Sequence, residues 1–169
     1  VMAIGQRDIV DAKGDVLYAR RGLAGVKERK ISGSDLIRTC YLQGTNVIGE
    51  PLTVLFRADA LRAAMPWDDS NPLMLDLSTY AKVAPMGTVI ARHESLGAFR
   101  VSTSSWSTRL VKLQLQQTKR WQHEYAATVV PSPSPVERTR AFVGRHLQTA
   151  LRRAAYTVLK LKGSFRSHD

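Results

Sequence analysis

The stretch GTNVIGEPLTVLFR, residues 44–57, decides the fold that the sequence predicts. Gly44 suits the position just after a helix, because glycine readily adopts the left-handed conformation that ends many helices. The run from Leu52 to Phe56 is continuously apolar, as in a β-strand that is covered on both faces. We therefore expect a helix ending at Gly44, a turn, and then a buried strand.

Strand and helix patterns alternate on both sides of this stretch. The segments AIGQRDIV and DVLYAR flank the turn-forming residues 11–15, which predicts a β-hairpin. Short helices are predicted to begin at the N-cap residue Ser34 and to end before Pro66 and Pro85. The remaining predicted elements are helices over 58–65 and 75–84 and two short strands over 88–91 and 96–101. This alternation predicts an α/β domain containing part of a mixed sheet.

Two helices and a proline-rich linker are predicted after residue 105. A helix over about 107–127 forms most of a packing segment at 106–130, and Pro131–Pro135 is expected to be a stiff, extended linker. Residues 136–169 are expected to form a basic helical tail. Its helix covers about 136–161, and its apolar residues recur near the helical period. They are Val143, Leu147, Leu151, Ala155 and Val158.

The net charge of +11 lies almost wholly in the C-terminal half. Residues 1–90 hold 11 Lys/Arg and 10 Asp/Glu, whereas residues 91–169 hold 14 Lys/Arg and 4 Asp/Glu. This asymmetry indicates a polyanionic partner for the tail. The helix could lie on an anionic membrane, or it could pack its apolar row on the domain and leave Arg138, Arg145 and Arg152 in water. Nucleic acid is a third alternative, although no RRM, KH or helix-turn-helix signature is present.

The single cysteine narrows the class of protein further. Cys40 excludes an internal disulfide framework and a cysteine-rich zinc site, and it is expected to be a small buried residue of a helix. A reducing, cytosolic compartment fits this composition. The sequence also lacks a glycine-rich phosphate loop and an apolar run of about 18 residues.

Three pieces in a definite order resemble a known family. They are GTNVIGEP entering the strand LTVLFR, then DLSTYAKV at 76–83, and then Gly87 followed by FRV at 99–101 and STSSWS at 102–107. Together they resemble the region after the metal-binding motif of family 2 nucleotide-sugar glycosyltransferases of the GT-A fold. In the family pattern, Leu75 replaces an acidic residue and Ser102 replaces a histidine.

The resemblance implies that residues 1–105 are the acceptor-side half of a GT-A-like mixed sheet. It implies an inverting, hexosyltransferase-like enzyme that moves sugar from a nucleotide-sugar donor to a glycan, lipid-linked or envelope acceptor. The donor-binding half, with Mg²⁺ or Mn²⁺, is expected upstream of Val1, so this chain alone is expected to bind no metal and to be inactive. The expected location is the cytoplasm, including the inner face of the membrane.

The resemblance also implies the site residues. Asp76 falls on the acidic residue that acts as catalytic base, and a helix N-terminus is expected to hold its carboxylate ionised. Asp68 and Asp69 are reserve candidates for the base. The predicted substrate-binding residues are Asn46, Gly49, Glu50, Arg57, Trp67, Asp68, Asp69, Arg100 and Trp106. The alternative function is a binding module for a membrane surface or nucleic acid, without catalysis.

Overall fold

The computed structural model describes residues 1–27, 29–67, 69–101 and 113–161, with the backbone alone at 156 and 159–161. Asp68, Trp106, the predicted loop at 102–105 and the predicted start of the helix at 107 lie outside the described residues.

A mixed β-sheet organises the first hundred residues. Its strands are β1 (Met2–Val10), β2 (Val16–Arg21), β3 (Lys30–Ser32), β4 (Val54–Phe56) and β5 (Thr88–Arg100). The order is β2-β1-β5-β3, and β4 pairs with the first residues of β1. β1 runs parallel to β5 but antiparallel to β2 and β4. The predicted hairpin and the mixed α/β class are confirmed.

Five helices accompany the sheet in the described residues: α1 (Gly33–Gln43), α2 (Ala58–Ala64), α3 (Leu75–Val83), α4 (Gln114–Thr128) and α5 (Pro135–Leu161). Gly44 ends α1 in the left-handed conformation, with φ 63° and ψ 33°, as predicted. The residue before α1 is Ser32 rather than Ser34. Cys40 is fully buried in α1, and burial raises the pKa of its thiol to about 12.

Two predictions about strands are wrong. Residues 88–91 and 96–100 belong to the single strand β5, and Val101 follows it. β5 pairs along β1 and shifts register between Gly5 and Gln6, where His93 and Glu94 form the irregularity. The apolar run 52–56 is not covered on both faces. Its first part is a 3-10 turn, Pro51–Thr53, and Leu55 in β4 is 72% exposed because the three-residue strand lies off the main path of the sheet.

The long helix α5 packs against α1 and α4. Both guanidinium donors Nε and Nη2 of Arg38 bond the carboxylate of Glu137 at 2.7 Å, and Ala141 is buried in the contact. The backbones approach closely at two glycines. A Cβ at Gly144 would lie 2.6 Å from the Leu42 carbonyl oxygen, and one at Gly44 would lie 2.4 Å from the Arg145 amide nitrogen.

The face of α5 that packs on the domain carries Arg145 and Arg152, so of the two alternatives left open by the sequence, the one in which the apolar row packs on the domain is not what the structure shows. Arg145 and Arg152 are half-buried, whereas Val143, Leu147 and Leu151 are 56%, 54% and 54% exposed. The reason is that small residues and an ion pair, rather than leucines, give the close approach to α1. Among the described residues, no helix has the length and apolar character needed to cross a bilayer.

Candidate functional site

The loop between α1 and β4 is fixed by its own asparagine. The Oδ1 atom of Asn46 accepts hydrogen bonds from the amides of Ile48 at 3.0 Å and Gly49 at 3.1 Å. Its Nδ2 donates to the Gly49 carbonyl at 2.9 Å. Asparagine forms such local turns readily, because its side chain reaches backbone groups two and three residues ahead. Asn46 therefore shapes the loop, because both polar atoms of its side chain form hydrogen bonds to the backbone of the same loop.

A tyrosine ties this loop to α3. The hydroxyl of Tyr80, which is fully buried, donates to the Gly49 carbonyl at 3.2 Å. Tyr80 and Asp76 are four residues apart, so they share one face of α3. That face carries Asp76 to the loop that contains Glu50.

An ion pair between β1 and the loop completes the cluster. Arg7 pairs with Glu50, and its Nη2 donates to Glu50 Oε1 at 3.1 Å. The guanidinium lies between two glycines with positive φ, since a Cβ at Gly22 or Gly49 would come within 2.8 or 3.0 Å of Nη1. Sequence analysis missed Arg7, because no local pattern signals a strand arginine whose partner lies 43 positions away.

Asp76 occupies the first turn of α3, where it is half-buried. Burial raises the pKa of its carboxyl to about 6, and the negative charge of Glu50 adds to the increase. The expected effect of a helix N-terminus has the opposite sign, so desolvation and Glu50 outweigh the helix dipole here. The carboxyl remains mostly ionised at pH 7, although it binds a proton more tightly than an exposed aspartate.

The structure brings together four of the predicted site residues and leaves others apart. Asn46, Gly49, Glu50 and Asp76 form one cluster, to which Arg7 and Tyr80 are added. Arg57 is exposed and pairs with Asp59 at 2.6 Å, and its amide bonds the Val1 carbonyl at the opposite end of β1 from Arg7. Val1 and Arg7 are six residues apart along the extended chain, which corresponds to about 20 Å.

The remaining predicted residues lie in separate places. Arg100 is exposed at the end of β5, opposite Val10. Trp67 is half-buried and Asp69 is exposed in the loop after α2. Asp68 and Trp106 lie outside the described residues.

A cavity of about 480 Å³ lies against the other side of α3. Ser78 and Lys82 line it from α3, and Trp121 and Tyr125 line it from α4. Ser78 lies two residues after Asp76, which places it roughly opposite on the helix. The cavity is therefore separate from the Asp76 cluster, and the cluster is the better candidate for chemistry because it holds the carboxyl with the raised pKa.

Replacing Asp76 with Asn should stabilise the fold at pH 8. The folded-state pKa of about 6 exceeds the ordinary value of 3.8, so the stability that Asp76 contributes is present at low pH and is lost as pH rises through about 6. The full shift corresponds to about 3 kcal/mol, and partial exposure reduces the expected gain to about 1–2 kcal/mol. Denaturant unfolding should show most of this gain disappearing by pH 4.

The exposed Asp69 provides the matched control. Asp69→Asn should change the free energy of unfolding by less than about 0.5 kcal/mol at either pH. Equal stability of wild type and Asp76→Asn at pH 8 would show that the environment of Asp76 does not disfavour its charge.

Among the described residues, no group of three or more His, Cys, Asp or Glu is arranged to hold a metal ion. Comparisons of the chain with protein-family models, curated proteins and solved structures found no match. The residues of the Asp76 cluster are therefore the basis for proposing a function.

Proposed function

We propose that this chain forms the acceptor side of an inverting glycosyltransferase in which Asp76 is the catalytic base. The observation that carries the proposal is the half-buried Asp76 carboxyl beside Glu50, whose pKa is about 6. The order of the sequence pieces supports it, since the Asn46 loop and the acidic helix that resemble the family lie against each other through Tyr80 and Gly49.

The proposed reaction is a single displacement. An acceptor hydroxyl oxygen forms a bond to the anomeric carbon of the donor sugar while its proton moves to an Asp76 carboxylate oxygen. The bond from that carbon to the nucleotide diphosphate breaks, and the diphosphate leaves with the electron pair. Attack from the face opposite the leaving group inverts the anomeric configuration.

The neighbours of Asp76 suit a base that works near neutral pH. A carboxylate whose pKa is raised toward the working pH accepts a proton more readily and still remains mostly ionised. Glu50 contributes to the increase in pKa, and Arg7 holds Glu50 in place. Glu50 and Arg7 are therefore positioning residues in this mechanism, whereas Asp76 would contact the acceptor.

The proposal also includes binding of the nucleotide-sugar donor. The nucleotide sugar and its Mg²⁺ or Mn²⁺ would be bound by the donor-binding half that the resemblance implies. A divalent ion supplies charge neutralisation of the leaving diphosphate. The acceptor would be a glycan or a lipid-linked or envelope saccharide, and the reaction would take place on the cytoplasmic side of the membrane.

A transfer assay on the full-length protein tests the proposal. It should be incubated with a panel of nucleotide sugars, Mg²⁺ or Mn²⁺, and glycan acceptors, and the anomeric configuration of early product should be read by proton NMR. We expect transfer with inversion. Retention of configuration, or no turnover of any nucleotide sugar across the panel, would count against the proposal.

A second candidate function is a binding module without catalysis, and the exposed apolar row of α5 favours it. Isothermal titration with nucleotide sugars separates the two candidates. Binding of a nucleotide sugar to the full-length protein supports the enzyme, whereas membrane binding without any affinity for nucleotide sugars supports the module.

A further inference from the structure

Helix α5 directs its apolar residues away from the domain. Val136, Val143, Leu147, Leu151 and Val158 are each between 43% and 78% exposed, and they define the outward row. A surface helix normally turns such a row toward the core. The outward row is therefore an apolar surface without a partner among the described residues of the chain.

The rotation of α5 is fixed by specific bonds. Gln122 of α4 donates from Nε2 to the carbonyls of Tyr41 at 2.8 Å and Ala141 at 3.1 Å, and its Oε1 accepts from Arg145 Nη1 at 2.9 Å. Rolling the helix to bury the outward row would break these buried bonds and the Arg38–Glu137 pair. Leaving buried polar groups unpaired is costly, so the row stays outward.

The first turn of α5 is closed by a capping box. The hydroxyl of Ser134 accepts from the Glu137 amide at 3.3 Å, and Glu137 Oε2 accepts from the Ser134 amide at 2.9 Å. Glu137 is thus bonded to both Ser134 and Arg38, which anchors the start of the helix on α1.

The exposed charges of α5 are positive. Of its six Lys or Arg residues, Arg145 and Arg152 are half-buried on the face that packs on the domain, whereas Arg138, Arg140 and Arg153 are exposed. Its only acidic residue, Glu137, is paired with Arg38. Phe142, which is 51% exposed, lines a cavity of about 620 Å³ between α1, α4 and α5. Four cations line that cavity: Lys119, Arg120, Arg138 and Arg145, of which Arg120 is paired with Glu124 at 2.8 Å.

These charges distinguish between two occupants of the outward row. A second copy of the chain would bring two strongly cationic surfaces together, with Arg140 and Arg153 exposed on each helix. An anionic lipid surface complements them, since each juxtamembrane cation contributes about 1 kcal/mol near such a surface. Apolar side chains on a helix lying in the interface insert below the headgroups.

We propose that α5 docks this protein on an anionic membrane surface, with the outward row in the boundary between headgroups and acyl chains and the neighbouring cations on lipid phosphates. The proposal is independent of the proposed transferase activity, because it rests on the exposure, rotation and charge of α5 alone.

Co-sedimentation of the full chain with lipid vesicles tests the proposal. We expect binding to vesicles of phosphatidylcholine mixed with phosphatidylglycerol in equal parts, and far weaker binding to phosphatidylcholine alone. The double variant Leu147→Gln, Leu151→Gln should bind the anionic vesicles at least about tenfold more weakly, because two large apolar side chains no longer insert.

Matched variants distinguish the effect of inserting the apolar side chains from the effect of charge and from misfolding. Thr139→Gln with Thr157→Gln changes two exposed residues of the same helix outside the row and should bind as wild type does. Arg140→Gln with Arg153→Gln keeps the row but should weaken binding at low salt. Far-UV circular dichroism should be the same for all variants, since every replaced side chain is largely exposed.

Several outcomes would overturn the proposal. They are absence of binding to the anionic vesicles, and equal binding by wild type and the leucine double variant. A concentration-dependent dimer that the leucine variant dissociates would assign the row to a second copy instead. Binding to duplex DNA in place of vesicles would assign the cations to nucleic acid.

Discussion

Asp76→Asn should lower the turnover of the full-length protein by about 10²–10⁴-fold while leaving its affinity for nucleotide sugar unchanged. An amide cannot accept the hydroxyl proton, so the acceptor oxygen must attack without general-base assistance. The donor is bound elsewhere in the proposed mechanism, so its affinity should not depend on Asp76. Single-turnover kinetics with saturating donor and acceptor measures the chemical step, and titration calorimetry measures donor affinity.

Asp69→Asn is the control for this experiment. Asp69 is an exposed carboxyl in the loop before α3, and it was a reserve candidate for the base. Its replacement should leave turnover within about twofold of wild type. Near-wild-type turnover by Asp76→Asn would eliminate Asp76 as the base, and loss of turnover by Asp69→Asn would move that role to the loop. Measuring the stability gain expected for Asp76→Asn at pH 8 would exclude misfolding as the cause of lost activity.

The features predicted correctly from the sequence are set by local interactions. Gly44 ends α1 because few other residues tolerate its conformation. Proline limits α2 and α3 for an equally local reason. The hairpin turn is held by Asp11, whose Oδ1 accepts from the amides of Lys13 and Asp15 within the same turn. Interactions between residues only a few positions apart can be recognised in the sequence without knowledge of the fold.

The features that sequence analysis missed depend on residues far apart in the chain. The Arg7–Glu50 pair requires β1 to meet the loop after α1, and two glycines must leave room for the guanidinium. The pKa of Asp76 depends on the depth of its burial and on Glu50, and neither is visible in the helix motif itself. A helix N-terminus by itself lowers the pKa of a carboxyl, whereas burial and Glu50, which lies outside the helix, raise the pKa of Asp76.

The orientation of α5 shows a similar limit. Its apolar period left open whether the row is buried on the domain or faces outward. Gly144 and Ala141 give a closer contact with α1 than leucines would allow. The Arg38–Glu137 pair and the Gln122 bonds then fix the rotation. Periodicity identifies which residues share a helix face, whereas the complementary surface decides which face is buried.

The dependence of kcat/KM on pH tests the central claim most directly, because it reports the ionisation of the essential base in the free enzyme. For wild type we expect activity to fall below a midpoint near pH 6, the pKa of Asp76. Glu50→Gln removes one cause of the raised pKa and should move the midpoint down by up to roughly one pH unit. Glu124→Gln, which removes an exposed carboxylate paired with Arg120, should leave it in place.

The pH profiles of wild type, Glu50→Gln and Glu124→Gln differ according to whether Asp76 is the catalytic base. A midpoint near pH 6 that moves down in Glu50→Gln and stays in Glu124→Gln is the result we predict for Asp76 as the base. A profile without a fall between pH 7 and pH 5, or a midpoint that Glu50→Gln leaves unchanged, would contradict it.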